Sequence, residues 1–227
     1  MIAARFLQVL QERVYGCAMG LDVVDLADLV SPKHTAVITM EMQRGVCGDL
    51  ATMPVISRAV DDAAVVPATT SLLRGARARN VPVVHCTFSL LADRAGTPMN
   101  APLIEMLAGH SDHLLHGSEA TEVLPLLEVA SSDLYSNRHH GFSPFTGTGL
   151  NAILRAHNVT TVIVAGVSLN LGIPGAVIEA VNLGYRVVVA RDCVVGMPTE
   201  YGVMLVKNTL SMVATIATSE QLTQAWS

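Results

Sequence analysis

The sequence contains few aromatic residues, few charges and no long apolar run. Aromatic residues make up 4% and charged residues 15% of its 227 positions. No apolar stretch reaches the roughly 18 residues that a membrane-spanning helix needs. Lysine and arginine form no cluster, and the net charge of -5 gives no electrostatic basis for binding nucleic acid. We therefore expect neither a nucleic-acid partner nor a membrane partner.

Paired cysteine motifs and a signal peptide are also missing. The four cysteines, Cys17, Cys47, Cys86 and Cys193, are widely spaced and form no CxxC pair, which is typical of free thiols in a reducing compartment. The N-terminal segment lacks the uninterrupted apolar core of a signal peptide. These two absences predict a cytoplasmic protein.

The residues that are abundant are aliphatic. Hydrophobic residues make up 51% of the chain, enough for the core of one sizeable α/β domain, which we assign to residues 31–227. Residues 1–30 are predicted to form a helical N-terminal arm. This arm has an apolar face that is not part of the predicted domain core, so we expect it to pack on a neighbouring subunit. That face consists of Phe6, Leu7, Leu10 and Val14.

Strand and helix patterns alternate along the predicted domain. This alternation predicts a three-layer α/β/α fold with a mostly parallel central sheet covered on both faces. The predicted strands are His34 to Met40, Val81 to Phe88, Asp133 to Ser136, Val162 to Val164 and Arg186 to Ala190. The predicted helices are Val55 to Asn80 with a new start at Pro67, Leu103 to Leu107, Gly147 to His157, Gly175 to Leu183 and Glu200 to Ala217.

The stretch from Val159 to Ala180 is the strongest candidate for a ligand site. A buried strand passes through Gly166 and Gly172 into the next helix. Ligands of α/β sheets bind at such strand ends, where backbone N–H groups and a helix N-terminus favour negative charge. The long loop from Ala92 to Pro102 is typical of a lid or a binding loop.

Two stretches of the sequence resemble the isochorismatase-like hydrolases, also called the cysteine hydrolase superfamily. The segment HTAVITMEMQRG resembles the opening strand of that family, which ends in Asp-Met-Gln, and residues 138–195 resemble the family's second half in order and spacing. The resemblance implies an isochorismatase-like fold with Rossmann-like topology and a hydrolase that acts on a small molecule. It also implies assembly as a homodimer or homotetramer.

Most members of that family use an Asp, a Lys and a Cys for catalysis, and this sequence differs at all three positions. The Asp position is Glu41, the Lys position falls at His139 with Arg138 as the neighbouring possibility, and the Cys position is Gly172. In having glycine there, the chain resembles the true isochorismatases, which hydrolyse a vinyl ether without an enzyme nucleophile. The resemblance thus implies direct attack by water on an amide or a vinyl ether, with no cofactor.

Each candidate site residue has a predicted role. A partly desolvated Glu41 suits a general acid or base, His139 exchanges protons near neutral pH, and Arg138 can hold an anionic group. The resemblance also implies a cis peptide near Val167-Ser168 and a turn at Gly172 that stabilises developing negative charge. The predicted substrate contacts are Arg138, His140, Phe145, Ser168, Leu169 and Asn170.

Three alternatives stay open. The first is a ligand-binding protein of the same fold that has lost catalysis. The second is a thiol-dependent amidohydrolase that uses Cys47, which follows Glu41 closely. The third is a metal site in the segment HSDHLLH, where His110, His113 and His116 have a spacing that resembles a ligand cluster. However, its spacing spreads the ligands around a helix and no Asp-x-His pair follows Glu41. We therefore interpret it as the polar surface of a loop over the site and expect no metal.

Overall fold

The central sheet has six parallel strands. A computed structural model describes residues 25–109 and 113–227, so most of the predicted arm and His110 lie outside the described residues. The strand order is β3-β2-β1-β4-β5-β6, and every neighbouring pair is parallel. The predicted α/β fold is confirmed. The strands are β1 Thr35–Met40, β2 Val83–Phe88, β3 Leu134–Arg138, β4 Thr161–Val167, β5 Arg186–Val195 and β6 Thr215–Ala217.

Helices cover both faces of the sheet, as the buried residues of β1 require. Val37 packs into one core cluster, while Ala36, Ile38 and Met40 pack into the other, because successive side chains of a strand point to opposite faces. The helices are α1 Leu26–Leu29, α2 Arg44–Cys47, α3 Pro54–Asp62, α4 Val65–Ala78, α5 Pro102–Gly109, α6 Leu150–Ala156, α7 Gly172–Asn182, α8 Thr199–Asn208 and α9 Ser219–Ala225. None of the helices within the described residues is long and apolar enough to span a bilayer.

The C-terminal part of the chain differs most from the sequence-based prediction. The long helix expected from Glu200 to Ala217 is wrong: α8 ends at Asn208, and Thr215–Ala217 forms the edge strand β6. A three-residue strand has too little periodicity to be distinguished from the end of a helix. The predicted end of β5 at Ala190 is also too early, since Asp192 stays in the strand and accepts hydrogen bonds from Ser219.

Two helix starts also lie earlier than predicted. The second helix of the 55–80 region begins at Val65 rather than Pro67, and α7 begins at Gly172 rather than Gly175. The second shift matters for the site. It places the backbone of Gly172 in the first turn of a helix, where N–H groups have no partner within that helix.

The described end of the predicted arm packs on the domain core. Leu29 and Val30 are buried, and the indole Nε1 of Trp226 donates a hydrogen bond of 2.6 Å to the Val30 carbonyl. The chain therefore joins the core before residue 31, and the structure describes the arm only from Asp25 onward.

A buried polar network crosses the sheet beneath the site. The His85 imidazole lies between the Thr39 hydroxyl, 2.7 Å from Nδ1, and the Asp133 carboxylate, 3.2 Å from Nε2. Burial lowers the pKa of His85 despite this carboxylate. Burial raises the pKa of Asp133, but hydrogen bonds from Arg77, the Ala130 N–H and His85 outweigh it, so that the pKa is lowered overall. The native network therefore combines a neutral imidazole with an ionised carboxylate.

This network predicts acid lability. Below about pH 6.5 His85 is protonated in the unfolded chain but stays neutral in the folded protein. The free energy of unfolding therefore decreases by up to about 1.4 kcal/mol for each unit by which the pH is lowered. Protonation of Asp133 removes further stability below about pH 3.9, the unfolded pKa of an aspartate. Thermal unfolding of the wild type should shift downward from pH 7 to pH 5, and His85→Gln should flatten that dependence. His157→Gln, at an exposed histidine, is the control; a wild-type curve that is flat across this range would contradict the expectation.

Candidate active site

Glu41 is held at the carboxyl end of the central strand β1. Its φ of 52° lies in the left-handed region, which is uncommon for a residue with a side chain. Two backbone hydrogen bonds fix this turn: the Glu41 N–H donates to the Cys86 carbonyl at 2.9 Å, and the Gln43 N–H donates to the Glu41 carbonyl at 2.8 Å. The side chain keeps 20% exposure, so the carboxylate faces the crevice above the sheet.

Arg138, the last residue of β3, is the cationic partner of Glu41. Its Nη2 donates to Glu41 Oε1, its Nε donates to the Gly141 carbonyl at 3.3 Å, and its guanidinium lies 5.2 Å from the centre of the Phe88 ring. The side chain is only 3% exposed. Among the described residues, none accepts a hydrogen bond from the buried Nη1. Arg138 therefore offers one further donor beside the carboxylate.

His139 lies on the other side of the strand end. The sequence favours His139 over Arg138 at the family's Lys position, whereas the structure has Arg138 against Glu41. The reason is strand geometry, since adjacent residues point to opposite faces. The His139 Nδ1–H donates to the Ser89 carbonyl at 2.8 Å, and its ring meets that of His116 edge-on at 5.6 Å. The Thr97 hydroxyl also donates to the His139 carbonyl at 2.6 Å. His139 therefore holds the loop after β2 in place through two hydrogen bonds.

The turn after β4 forms the opposite wall of the crevice. The peptide between Val167 and Ser168 is cis, as the resemblance implies. The N–H groups of Leu171 and Ile173 donate to the Ser168 carbonyl at 3.3 and 3.0 Å, which directs the chain into α7.

Leu171, the N-cap residue, provides no side-chain cap. Within the first turn of α7 only the Gly172 N–H has no backbone acceptor among the described residues, because Pro174 has no N–H and the Gly175 N–H donates to the Leu171 carbonyl. The first turn of α7 therefore presents the Gly172 N–H and the positive end of the helix dipole.

Gly172 leaves limited space where a side chain would stand. A Cβ at this residue would lie 3.1 Å from the Val167 carbonyl oxygen and 3.3 Å from Met40 Cε. The methionine end is flexible, but the carbonyl oxygen belongs to the backbone, so a small side chain fits only if both shift by a few tenths of an ångström.

Glu41, Arg138, Ser168 and Gly172 line one small cavity of about 80 Å³. These four polar or backbone groups come from the ends of β1, β3 and β4. The other walls are mainly apolar, and α5 forms part of them. For this region the sequence predicted a loop followed by a short helix over the site. The apolar lining consists of Val46, Met53, Ile56, Phe88, Leu103, Ile104, Leu107, Leu114, Phe142 and Leu171.

The remaining predicted substrate contacts do not line this cavity. Phe145 packs in the core with its ring 6.0 Å from that of Tyr185, and Leu169 is buried in the same cluster. The Asn170 amide bonds to the backbone N–H and carbonyl of Met197 at 2.9 and 2.6 Å. His140 lies against Gly147. These side chains instead support the loops that carry Phe142 and Ser168.

The cysteines within the described residues are buried. Cys47 is 3% exposed, and burial, followed by the nearby charge of Glu41, raises its pKa to about 12. Its sulfur donates to the carbonyls of Glu41 and Gln43, both at 3.7 Å. Burial also raises the pKa of Cys86 and of Cys193 to about 12. A thiol with such a pKa has very little reactive thiolate near neutral pH. Cys17 lies outside the described residues.

The histidines of the HSDHLLH segment separate in space. His113 lines the small cavity, and its Nδ1 lies 3.3 Å from the Thr52 hydroxyl. His116 instead contacts the Ser89 hydroxyl, and both residues line a different groove of about 700 Å³. Within residues 25–109 and 113–227, no three His, Cys, Asp or Glu side chains are grouped closely enough to hold a metal ion. His110 lies outside the described residues.

The sequence itself decides the family. Residues 35–221 match the model described as the isochorismatase domain. The chain belongs to the isochorismatase family. No curated protein is similar enough to this isochorismatase-family chain to count as a match.

Solved structures share the fold of this isochorismatase-family member. A cysteine hydrolase from Pseudomonas syringae pv. phaseolicola 1448A is 23% identical, with a TM-score of 0.74, over 87% of this chain and 94% of its own. An isochorismatase family protein from Burkholderia thailandensis is 24% identical, with a TM-score of 0.70, over 86% of this chain and 96% of its own. The N-carbamoylsarcosine amidase from Thermoplasma acidophilum is 23% identical, with a TM-score of 0.64, over 82% and 97%. At these identities the likeness establishes the fold.

Proposed function

We propose that the protein is a hydrolase that adds water directly to a small amide, without a thiol intermediate. The observation that carries the proposal is the shared cavity, in which the Glu41 carboxylate faces the first turn of α7 at Gly172. A carboxylate on one side and the Gly172 N–H at a helix N-terminus on the other are parts that water attack on a carbonyl needs.

In the proposed reaction Glu41 acts first as a base. The Glu41 carboxylate, held in place by Arg138, takes a proton from a water molecule as the water oxygen bonds to the carbonyl carbon. The charge that develops on the substrate oxygen is stabilised by the Gly172 N–H and the dipole of α7. When the intermediate collapses, the C–N bond breaks and the Glu41 carboxyl returns its proton to the leaving nitrogen.

Arg138 replaces His139 as the helper in this mechanism. A guanidinium does not release its proton in proteins, so Arg138 orients and neutralises Glu41 rather than shuttling a proton. Vinyl ether hydrolysis, in which Glu41 would instead begin by protonating the substrate, is the other form of the proposal.

One observation favours a second candidate, a ligand-binding protein without catalysis. The Glu41 Oε1 atom already accepts a hydrogen bond from Arg138, so one of the two carboxylate oxygens is occupied before any water or substrate arrives. This candidate predicts that small amides raise the unfolding temperature without being hydrolysed.

Thiol alkylation tests the proposed mechanism. A panel of small amides should be hydrolysed at the same rate before and after treatment with iodoacetamide, because the described cysteines are buried with raised pKa values. In water labelled with ¹⁸O, a single turnover should place the label in the acid product. The Cys47→Ser variant should keep its activity; loss of activity in that variant, or upon alkylation, would favour the thiol mechanism instead. Hydrolysis of no amide at all would favour the ligand-binding alternative.

A further inference from the structure

We infer that the substrate is a small amide with an uncharged aliphatic acyl group, and that the cavity discriminates against a second carboxylate. This inference rests on the proposed function, because it assigns the substrate class of the same site. It follows from the charges, the walls and the size of the cavity.

The charges in the cavity already balance. Among the described residues that line it, Glu41 is the one carboxylate and Arg138 the one guanidinium, and the two form an ion pair. At this end of the cavity a substrate carboxylate would have to share Arg138 with Glu41, leaving one negative charge uncompensated in a poorly solvated site. Such like-charge placement is costly, whereas a neutral carbonyl only needs hydrogen-bond donors.

Donors for a neutral carbonyl oxygen are present at the polar end. The Gly172 N–H in the first turn of α7 has no backbone acceptor, and the Nη1 of Arg138 is buried without a partner among the described residues. A buried charged donor that lacks an acceptor is unfavourable, so an oxygen acceptor supplied by the substrate would satisfy it. A carbonyl supplies that acceptor without adding charge.

Away from the Glu41–Arg138 pair, the walls and roof of the cavity are lined mainly by apolar side chains; the exception is His113, whose Nδ1 lies 3.3 Å from the Thr52 hydroxyl. The α5 helix turns Leu103, Ile104 and Leu107 toward the cavity, and Phe142 and Leu171 complete the wall around Gly172. The side of the substrate away from the carbonyl therefore meets hydrocarbon. Burial of an alkyl group there is favourable because it removes apolar surface from water.

The size of the cavity limits the acyl group to a few carbons. Its volume of about 80 Å³ is smaller than the roughly 150 Å³ of an apolar cavity that takes up benzene. A branched chain such as that of isobutyramide suits this space better than an aromatic bicycle. Acetamide would leave the apolar walls unfilled.

The inference is tested with three probes of graded chemistry: isobutyramide, acetamide and succinamate, an amide with a terminal carboxylate. For the wild type we expect kcat/KM with isobutyramide to exceed that with succinamate by about 100-fold and that with acetamide by about 10-fold. Binding is measured separately by the shift of the unfolding temperature. Equal preference for succinamate, or no binding of isobutyramide, would overturn the inference.

A charge-placement pair supplies the matched control. Leu107→Arg puts a second cation into the roof and should shift the preference toward succinamate at least about 10-fold. Met106→Arg makes the same charge change on the exposed side of the same helix and should not alter the preference. Selective binding of isobutyramide without turnover would refute the hydrolase and leave the inference about the cavity standing. Turnover of succinamate as fast as isobutyramide would refute the inference about the cavity and leave the hydrolase proposal standing.

Discussion

Replacing Glu41 by glutamine is expected to lower turnover by about 100- to 10,000-fold, the usual contribution of a general base. The amide of glutamine has nearly the shape of the carboxylate but cannot take a proton from water. It still offers an oxygen to the Arg138 Nη2, so the buried guanidinium keeps an acceptor. The comparison is made by amide hydrolysis with each variant after its fold is checked by circular dichroism and thermal unfolding.

The control for this result is Glu105→Gln, which makes the same change on the exposed side of α5. It should leave turnover unchanged. Full activity of Glu41→Gln would refute the assignment of the base, whereas equal loss in both variants would point to an effect of net charge.

A leucine at the same position separates chemistry from stability. Glu41→Leu removes the acceptor as well as the charge and leaves Arg138, only 3% exposed, without its carboxylate. Breaking a buried pair from one side typically costs about 3–5 kcal/mol. We therefore expect the leucine variant to be less stable than the glutamine variant, although both lose turnover. Equal stability of the two would mean that Arg138 finds another acceptor.

The sequence predicted the central strands well because their patterns are strong. The β-branched runs that end at Met40 and Val164 lie in β1 and β4, within the most buried part of the sheet. The edge strand β6 was missed because three residues carry no periodic signal of their own. Its strand conformation comes from pairing with β5, which is a tertiary interaction.

The site depended on register, which the sequence does not fix. Arg138 and His139 are adjacent, and either one fits the family's Lys position by spacing alone. Pairing of β3 with β2 places Arg138 opposite Phe88 and so turns its side chain to the Glu41 face. A shift of one residue would have exchanged the two side chains. The roof formed by Leu103, Ile104 and Leu107 likewise required the packing of α5 over the crevice.

Introducing a cysteine at Gly172 should create a thiol far more reactive than those already present. The Cβ fits if the Val167 carbonyl and Met40 each give way by a few tenths of an ångström, and the thiol would lie in the first turn of α7, in the cavity that Arg138 and Glu41 also line. A helix N-terminus and a nearby cation both stabilise a thiolate, so its pKa should fall below the ordinary value of about 8.5. Near neutral pH it should react with iodoacetamide at least about 1,000-fold faster than a buried thiol such as Cys47, whose pKa is raised to about 12.

The rate of alkylation measured against pH gives the midpoint of this thiol directly. The control is Gly109→Cys, at the exposed C-terminal end of α5 with open space around its Cβ, and the wild type gives the background from the natural cysteines. A midpoint for Gly172→Cys at or above that of the control would mean that the turn does not stabilise negative charge. The proposed hydrolysis would then lose its support at the substrate oxygen, because the same helix N-terminus, with the backbone N–H of position 172, serves both anions. A lowered midpoint would instead show that the turn stabilises an anion even though the natural chain places no thiol there.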